Sequence, residues 1–225
     1  MRKTVRLTCG GPDTDFPGFD NDAIQAAVLR AHALGGGEVV LSEGVFNLRD
    51  SVHMKTGVRL SGQGRKTVLE KQPMVSDRTA HYMGYGHAEI MVENPEKFSP
   101  GDGVYLTGSG CSGGFLATQA TVTSVDRESG LLGLSSPLNC DISGHRDGRI
   151  RTLFPLIKGD REKNFSVSDL VLDGNADENE SIDGCRGGAV FPLGNSTVPG
   201  LRQAVEKALA ERADFFTKPE NRVLP

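Results

Sequence analysis

One change of hydrophobic period constrains this 225-residue chain more than any other feature. An amphipathic helix is predicted over residues 22–34, where Asp22 and Gln25 are spaced as a capping box. The triplet 35–37 is all glycine and ends the helix, since glycine accepts the left-handed conformation of a C-terminal cap. No helix alternates with the strands that follow, so a βαβ series is excluded. The predicted apolar face of the helix comprises Ile24, Ala27, Val28, Ala31 and Leu34.

Five short β-type runs follow the helix, separated by turns such as residues 42–44 and 61–64. The Asn-Gly turns that favour two-residue hairpins are missing from this stretch. Short strands with irregular turns therefore favour a solenoid of stacked coils over a meander. The first coil of a solenoid exposes apolar surface and strand edges, and the helix is placed to cover both. The predicted strands are 38–41, 45–48, 51–54, 57–60 and 67–70.

Composition excludes several kinds of partner. The formal net charge of -4 leaves no basic footprint, which disfavours a nucleic-acid partner. No apolar run approaches the ~18 residues of a membrane span, so no membrane partner is expected. Residues 1–7 carry positive charge without an apolar core, and no signal peptide is recognised. The four cysteines form no CxxC pair and are predicted to be small buried hydrophobic residues.

The residues from Asp20 to Ala27 and from Gly35 to Phe46 resemble the opening of the pectate-lyase-3 family. The resemblance covers residues 14–71 well and returns at 165–175, although Ser42-Glu43 stands where that family usually has Pro-Ala. It implies a right-handed parallel β-helix of the pectate-lyase-like superfamily, all-β, with a helix capping its N-terminal end. It also implies an extracellular or periplasmic, carbohydrate-active protein.

We divide the chain into four parts. A turn followed by β-type runs breaks the coil rhythm after the first coils and predicts a small β insertion. The last part contains one apolar stripe over residues 199–216, which predicts a C-terminal helix. Too short to be stable alone, that helix is expected to dock on the last coil or on a second copy of the chain. The parts are 1–91 (helix and first coils), 92–160 (insertion), 161–198 (returning coils) and 199–225 (helix and tail).

The richest candidate site is the acidic loop, residues 173–188. We predict Asp173, Asp183 and Arg186 as catalytic residues, with Asp177 and Glu178 binding substrate. Lyases neutralise a uronate carboxylate with cations and remove the C5 proton with a base, whereas hydrolases need two facing carboxyl groups. Calcium, which prefers several oxygen ligands, is a cofactor that the loop could help to hold. The alternative is a solvated loop in which aspartates initiate Asp-Gly turns.

Aromatic rings supply a second candidate. Tyr82 and Tyr85 lie between two histidines and are predicted to bind substrate, because flat rings stack on sugars. A turn that packs against the insertion is the alternative.

Three functional classes follow. The first is a polysaccharide lyase or glycoside hydrolase acting on an acidic, uronate-containing polysaccharide. The second is a non-catalytic glycan-binding module, and the third is a structural, tail-fibre-like module; an inactive fragment of a longer enzyme also fits. The resemblance favours the first class, although fold alone does not fix activity.

Overall fold

A computed structural model describes residues 5–114, 116–180 and the backbone of 190–193. This part of the chain is mostly β-structure, with one α-helix near its start. The predicted C-terminal helix lies outside the described residues. Within them, no helix is both long enough and apolar enough to cross a membrane.

Helix α1 spans Asn21–Ala33, and its N-cap is Asp20. The predicted capping box was wrong, because the helix begins one residue before Asp22. Asp20 Oδ1 accepts a hydrogen bond from the third helical amide at 2.9 Å. Gln25 instead exchanges hydrogen bonds of 2.8 and 3.1 Å with the backbone of His53. The helix is thereby tied to a strand rather than to its own first turn.

The predicted apolar face of α1 is buried at four of its five positions. Ile24, Ala27, Val28 and Ala31 have no exposed surface. Leu34 was wrongly included, because it is the C-cap residue and lies beyond the buried stripe, half exposed. The glycines that follow have positive φ, as the predicted helix end requires.

The chain winds through three parallel sheets in a fixed order. The first sheet has the strand order β15-β6-β3-β1-β2, the second β16-β7-β4 and the third β17-β14-β5. From β3 onward the chain visits the first, second and third sheets in turn and then repeats this path, which stacks one coil on another. These strands are β1 (Val5–Gly10), β2 (Phe16–Pro17), β3 (Gly37–Leu41), β4 (Gly44–Leu48), β5 (Val52–His53), β6 (Val58–Ser61), β7 (Thr67–Lys71), β14 (Ile157–Asp160), β15 (Ser166–Ser168), β16 (Val171–Asp173) and β17 (Val190–Leu193).

One apolar core fills the coils. Phe46 of the second sheet, Leu60 of the first and Ile157 of the third are fully buried in it, together with the buried face of α1. The predicted alternation of short strands and turns is confirmed, and each of the five predicted strands lies within two residues of an observed one.

An antiparallel sheet, called here the insertion, interrupts the coils between β7 and β14. Its strand order is β8-β13-β10-β11-β12-β9, and it has its own apolar core. The segments that leave and re-enter the coils are joined where Thr152 Oγ1 accepts from Val75 N at 2.7 Å. The division of the chain at residues 91, 160 and 198 stays a prediction. The strands are β8 (Ser76–Arg78), β9 (Glu89–Met91), β10 (Gly103–Thr107), β11 (Thr118–Asp126), β12 (Leu131–Leu134) and β13 (Arg149–Arg151).

Two cysteines depart from the prediction. Cys111 and Cys140 form a disulfide with a Cα–Cα distance of 5.4 Å, because the antiparallel fold of the insertion brings them together. Cys9 is the small buried residue expected, and burial raises the pKa of its thiol to about 12. Cys185 lies outside the described residues.

The shared core predicts how two leucine substitutions should differ. Leu60→Ala should lower the free energy of unfolding by about 3 kcal/mol, since it leaves a cavity where three sheets meet. Leu29→Ala, at a residue of α1 that is 47% exposed, should change it by less than about 0.5 kcal/mol. Urea unfolding of both variants measures the difference. Equal losses would show that Leu60 does not lie in a closely packed core.

Candidate functional site

The structure places Asp173 in a row of polar residues on the outer face of the second sheet. Glu70 is the register partner of Asp173, and Asn47 is the partner of Glu70 on the other side. Neighbouring strands lie about 4.8 Å apart, so the two carboxylates stand side by side on adjacent coils. Sequence reasoning singled out Asp173 but missed Glu70, which is 103 residues away in the chain.

The described half of the acidic loop is braced by its own side chains. Asp173 Oδ1 accepts from Asn175 N at 2.9 Å, which is the turn that the alternative interpretation expected. The Asn175 amide donates to Glu178 Oε2 at 3.0 Å and to Lys71 O at 3.2 Å. Asp177 is exposed. The loop therefore has a defined shape against the end of β7.

The remaining predicted catalytic residues, Asp183 and Arg186, lie outside the described residues, and the roles assigned to this loop stay predictions. Within residues 5–114 and 116–180, no three His, Cys, Asp or Glu side chains converge as a metal group. Glu70 and Asp173 supply two carboxylates, whereas calcium takes six to eight oxygen ligands. Calcium as a cofactor stays a prediction.

Lys71 lies directly beneath this loop and is 6% exposed. Its Nζ stands 4.8 Å from the centroid of the Phe154 ring. Burial lowers the pKa of this amine to about 8, because desolvation penalises the charged form. Phe154 in turn lines the cavity described next, so the lysine stands behind one of its walls.

The two predicted sugar-binding tyrosines lie elsewhere, on the insertion. The segment 82–87, called here the tyrosine turn, pairs with residues 138–142 through backbone hydrogen bonds. The backbone of this segment therefore forms the turn packed against the insertion that was predicted as the alternative to a sugar-binding site. The rings themselves are open to solvent, with Tyr82 62% and Tyr85 75% exposed.

A cavity of about 280 Å³ separates the third sheet from the insertion, and this cleft was not predicted. On the sheet side, His53 of β5 and Lys158 of β14 are register partners on adjacent coils. On the insertion side, Thr121 of β11 faces them. The cleft is lined by Asp50, Ser51, His53, Lys55, Val104, Gln119, Ala120, Thr121, Ser135, Ser136, Leu153, Phe154, Pro155, Lys158 and Asp160.

A buried carboxylate organises the cleft. Asp50 is 7% exposed, and its Oδ2 accepts from Thr121 Oγ1 at 2.5 Å and lies 3.3 Å from His53 Nε2. In the tautomer that carries the proton on Nε2, the His53 ring donates to the Asp50 carboxylate. Nδ1 of His53 then keeps its lone pair. This arrangement produces an oriented imidazole that can accept a proton.

The two lysines that line the cleft differ in their ion pairs. Lys55 Nζ is 3.0 Å from Glu162 Oε1. Burial alone would raise the pKa of Glu162, but hydrogen bonds from Thr56 and Lys55 outweigh it and lower that pKa. The Glu162 carboxylate therefore remains charged and holds Lys55. Among the described residues Lys158 has no such ion pair, which leaves its charge available to an anion in the cleft.

Contacts between coil and insertion fix the position of Asp50. Arg49 donates to Asp102 Oδ1 through Nε at 2.9 Å and Nη2 at 2.7 Å. A Cβ added to Gly103 would meet Asp50 Oδ1 at 2.1 Å, so only glycine permits this approach. Sequence reasoning missed the cleft because Thr121 and Lys158 are about 70 and 105 residues from His53. The pair Asp50 and His53, three apart, was the one local signal.

No protein-family model matches the sequence, and no curated protein matches it. Several solved structures are similar in outline. The Acinetobacter baumannii bacteriophage AP22 tailspike, solved with a capsular saccharide, aligns at 10% identity with a TM-score of 0.35, over 78% of this chain and 33% of its own. The Azotobacter vinelandii mannuronan C-5 epimerase AlgE6 A-module aligns at 18% identity with a TM-score of 0.36, over 79% and 32%.

A Thermotoga maritima exopolygalacturonase aligns at 18% identity with a TM-score of 0.34, over all of this chain and 36% of its own. The chain thus spans about a third of the length of each of these three proteins. Similarity at this level defines neither a family nor an activity.

The buried amine of Lys71 predicts a pH effect on stability. Between about pH 8 and its ordinary pKa of 10.5, the unfolded chain holds a proton that the folded chain has released, so stability rises with pH. Lys71→Met should flatten that rise, whereas the exposed Lys66→Met should not. Urea unfolding at pH 7 and pH 10 measures both slopes. If the free energy of unfolding of Lys71→Met still rose with pH as steeply as that of the unchanged protein, the lowered pKa of the buried Lys71 amine would be contradicted.

Proposed function

We propose that this chain is a carbohydrate-active protein built as a right-handed parallel β-helix, and that its cleft acts on an acidic, uronate-containing polysaccharide by a lyase mechanism. One observation carries the proposal: His53 and Lys158 stand side by side on adjacent coils, with Asp50 behind the imidazole. The resemblance of the first coils to pectate-lyase-like proteins supports the same substrate class. The three solved structures described above are a tailspike solved with a capsular saccharide, a mannuronan epimerase and an exopolygalacturonase.

The chemistry follows from these positions. The ammonium of Lys158 pairs with the uronate carboxylate and stabilises the negative charge that develops when C5 loses its proton. His53 Nδ1 takes that proton, and Asp50 stabilises the resulting imidazolium. The electrons of the C5–H bond form a C4–C5 double bond, and the C4–O4 bond breaks. The departing glycosidic oxygen takes up a proton from the imidazolium or from water.

Substitutions in the cleft test this mechanism. His53→Gln should lower turnover of polygalacturonate or polymannuronate by at least about 100-fold, because it removes the base. Lys158→Gln should lower kcat as well as raise KM, because the ammonium pairs with the bound uronate and stabilises the charge that develops at C5, and Lys158→Arg should retain more activity. The ultraviolet absorbance of the unsaturated product measures turnover. His32→Gln and Lys66→Gln, at exposed positions away from the cleft, are the matched controls.

The outcomes separate the three functional classes. Binding of a polyuronate without turnover would assign the chain to the glycan-binding class. A correctly folded chain that binds no polyuronate would overturn the proposal in favour of a structural module. Equal activity in His53→Gln and His32→Gln would show that His53 is not the catalytic base.

Hydrolysis is the second candidate, favoured by the in-register pair of Glu70 and Asp173. Retaining glycosidases use two carboxyl groups about 5 Å apart, close to the spacing of adjacent strands. The catalytic roles predicted for Asp183 and Arg186, which lie outside the described residues, belong to this candidate. Hydrolysis creates reducing ends without a double bond, and Glu70→Gln or Asp173→Asn should then abolish it while His53→Gln does not.

A further inference from the structure

The tyrosine turn presents two rings that are both exposed and held in place. Its backbone is fixed on two sides, because Met83 and Ile142 exchange two hydrogen bonds and Leu138 bonds to Gly86 and His87. An exposed turn with this many backbone bonds does not need its aromatic rings for packing. The rings therefore offer apolar surface that the fold itself leaves unused.

Asp141 lies beside both tyrosines and bonds to the backbone of the turn that carries them. Asp141 Oδ1 accepts from Tyr85 N at 2.8 Å, and the same carboxylate lies beside the Tyr82 hydroxyl across Gly84. A Cβ on Gly84 would lie 3.4 Å from the Tyr82 hydroxyl and 3.8 Å from Asp141 Oδ1, so these groups converge around a position without a side chain. Partial desolvation and the Asp141 charge raise the pKa of the Tyr82 hydroxyl, and Arg146 opposes them.

The disulfide secures Asp141 in turn. Asp141 follows Cys140 directly, and Cys140 is bonded to Cys111. Between the two cystine segments, a Cβ on Gly110 would meet the Asp141 carbonyl at 2.7 Å, so the chains are in close contact there. The cystine thus fixes the backbone from which the Asp141 carboxylate reaches the tyrosine turn.

The surroundings of the rings suit a sugar better than a protein. Asp141 and His87 lie beside Tyr82 around Gly84, and the charge of Arg146 acts on the Tyr82 hydroxyl, so hydrogen-bonding and charged groups accompany the rings. A pyranose ring has the complementary character, with an apolar C–H face and hydroxyls at its edge. Arg146 adds a positive charge for a uronate carboxylate. A protein interface needs a larger apolar patch than two rings.

One segment links the tyrosine turn to the cleft. Ser135 and Ser136 line the cleft, and Leu138 and Asp141 hold the tyrosine turn. Asp141 is five positions after Ser136, which limits the distance between their Cα atoms to about 18 Å. A polysaccharide that occupies the cleft can therefore extend over the tyrosine rings.

We propose that Tyr82 and Tyr85, positioned by Asp141, form a second contact site for the pyranose rings of the same acidic polysaccharide that the cleft binds. This inference rests on the proposed function for the identity of the glycan. Asp141 is a positioning residue, whereas the two rings touch the sugar.

Binding of oligogalacturonate to the full chain, measured by calorimetry, tests the site. Tyr82→Ala and Tyr85→Ala should each raise Kd by about tenfold, while Tyr82→Phe and Tyr85→Phe keep the ring and most of the affinity. Asp141→Ala should weaken binding at an unchanged melting temperature, and Asp141→Asn should restore part of it. Leu34→Ala, at the exposed apolar C-cap residue of α1, is the control.

A spectroscopic measurement observes the rings directly. The chain has no tryptophan and three tyrosines, and Tyr105 is buried. Quenching of tyrosine fluorescence by acrylamide therefore reports mainly on Tyr82 and Tyr85, and bound oligogalacturonate should protect them.

The two proposals fail in different ways. Unchanged Kd in Tyr82→Ala and Tyr85→Ala, with turnover still lost in His53→Gln, overturns the tyrosine site and leaves the cleft standing. Loss of binding in the tyrosine variants alone, with no effect of His53→Gln or Lys158→Gln, supports the tyrosine site and overturns the cleft. A chain that binds no oligogalacturonate overturns both.

Discussion

The parallel register across the insertion is the constraint on which the rest of this structure depends. β5 pairs with β14 and β7 pairs with β16, although about 80 residues of antiparallel sheet lie between them in the chain. The insertion must therefore leave the coils and return at adjacent points. That requirement places its strands against the third sheet, and it creates the cleft between them.

Burial of Asp50 converts this geometry into chemistry. A carboxylate removed from water is stable only when hydrogen bonds replace its hydration, and Ser51, Thr121 and His53 surround it. Two of these partners come from the coil, and one comes from the insertion. Docking of the insertion therefore also orients the imidazole, because Thr121 of the insertion holds the Asp50 carboxylate that contacts His53. An isolated coil would not hold His53 in this position.

Sequence patterns were reliable wherever a short segment decided its own structure. The period of α1, the glycines after it and the five strands from β3 to β7 were all predicted, because apolar spacing and glycine conformation act within a few residues. The capping box failed for a related reason: Asp20 and Asp22 both suit an N-cap, and Gln25 was drawn to the backbone of His53 instead. The disulfide was missed because its two cysteines meet only in the folded insertion.

By itself the sequence determined a β-rich chain with one N-terminal helix, a break in the coil rhythm, and polar residues such as Asp173, Tyr82 and Tyr85 as candidates. Only the tertiary structure determined which polar residues lie side by side. Asp173 meets Glu70, and His53 meets Lys158 and Thr121, through strand pairings that join residues about 70 to 105 positions apart. Local periodicity encodes the strands, but the register between coils depends on how the whole core packs, and that register is what assembles the candidate site.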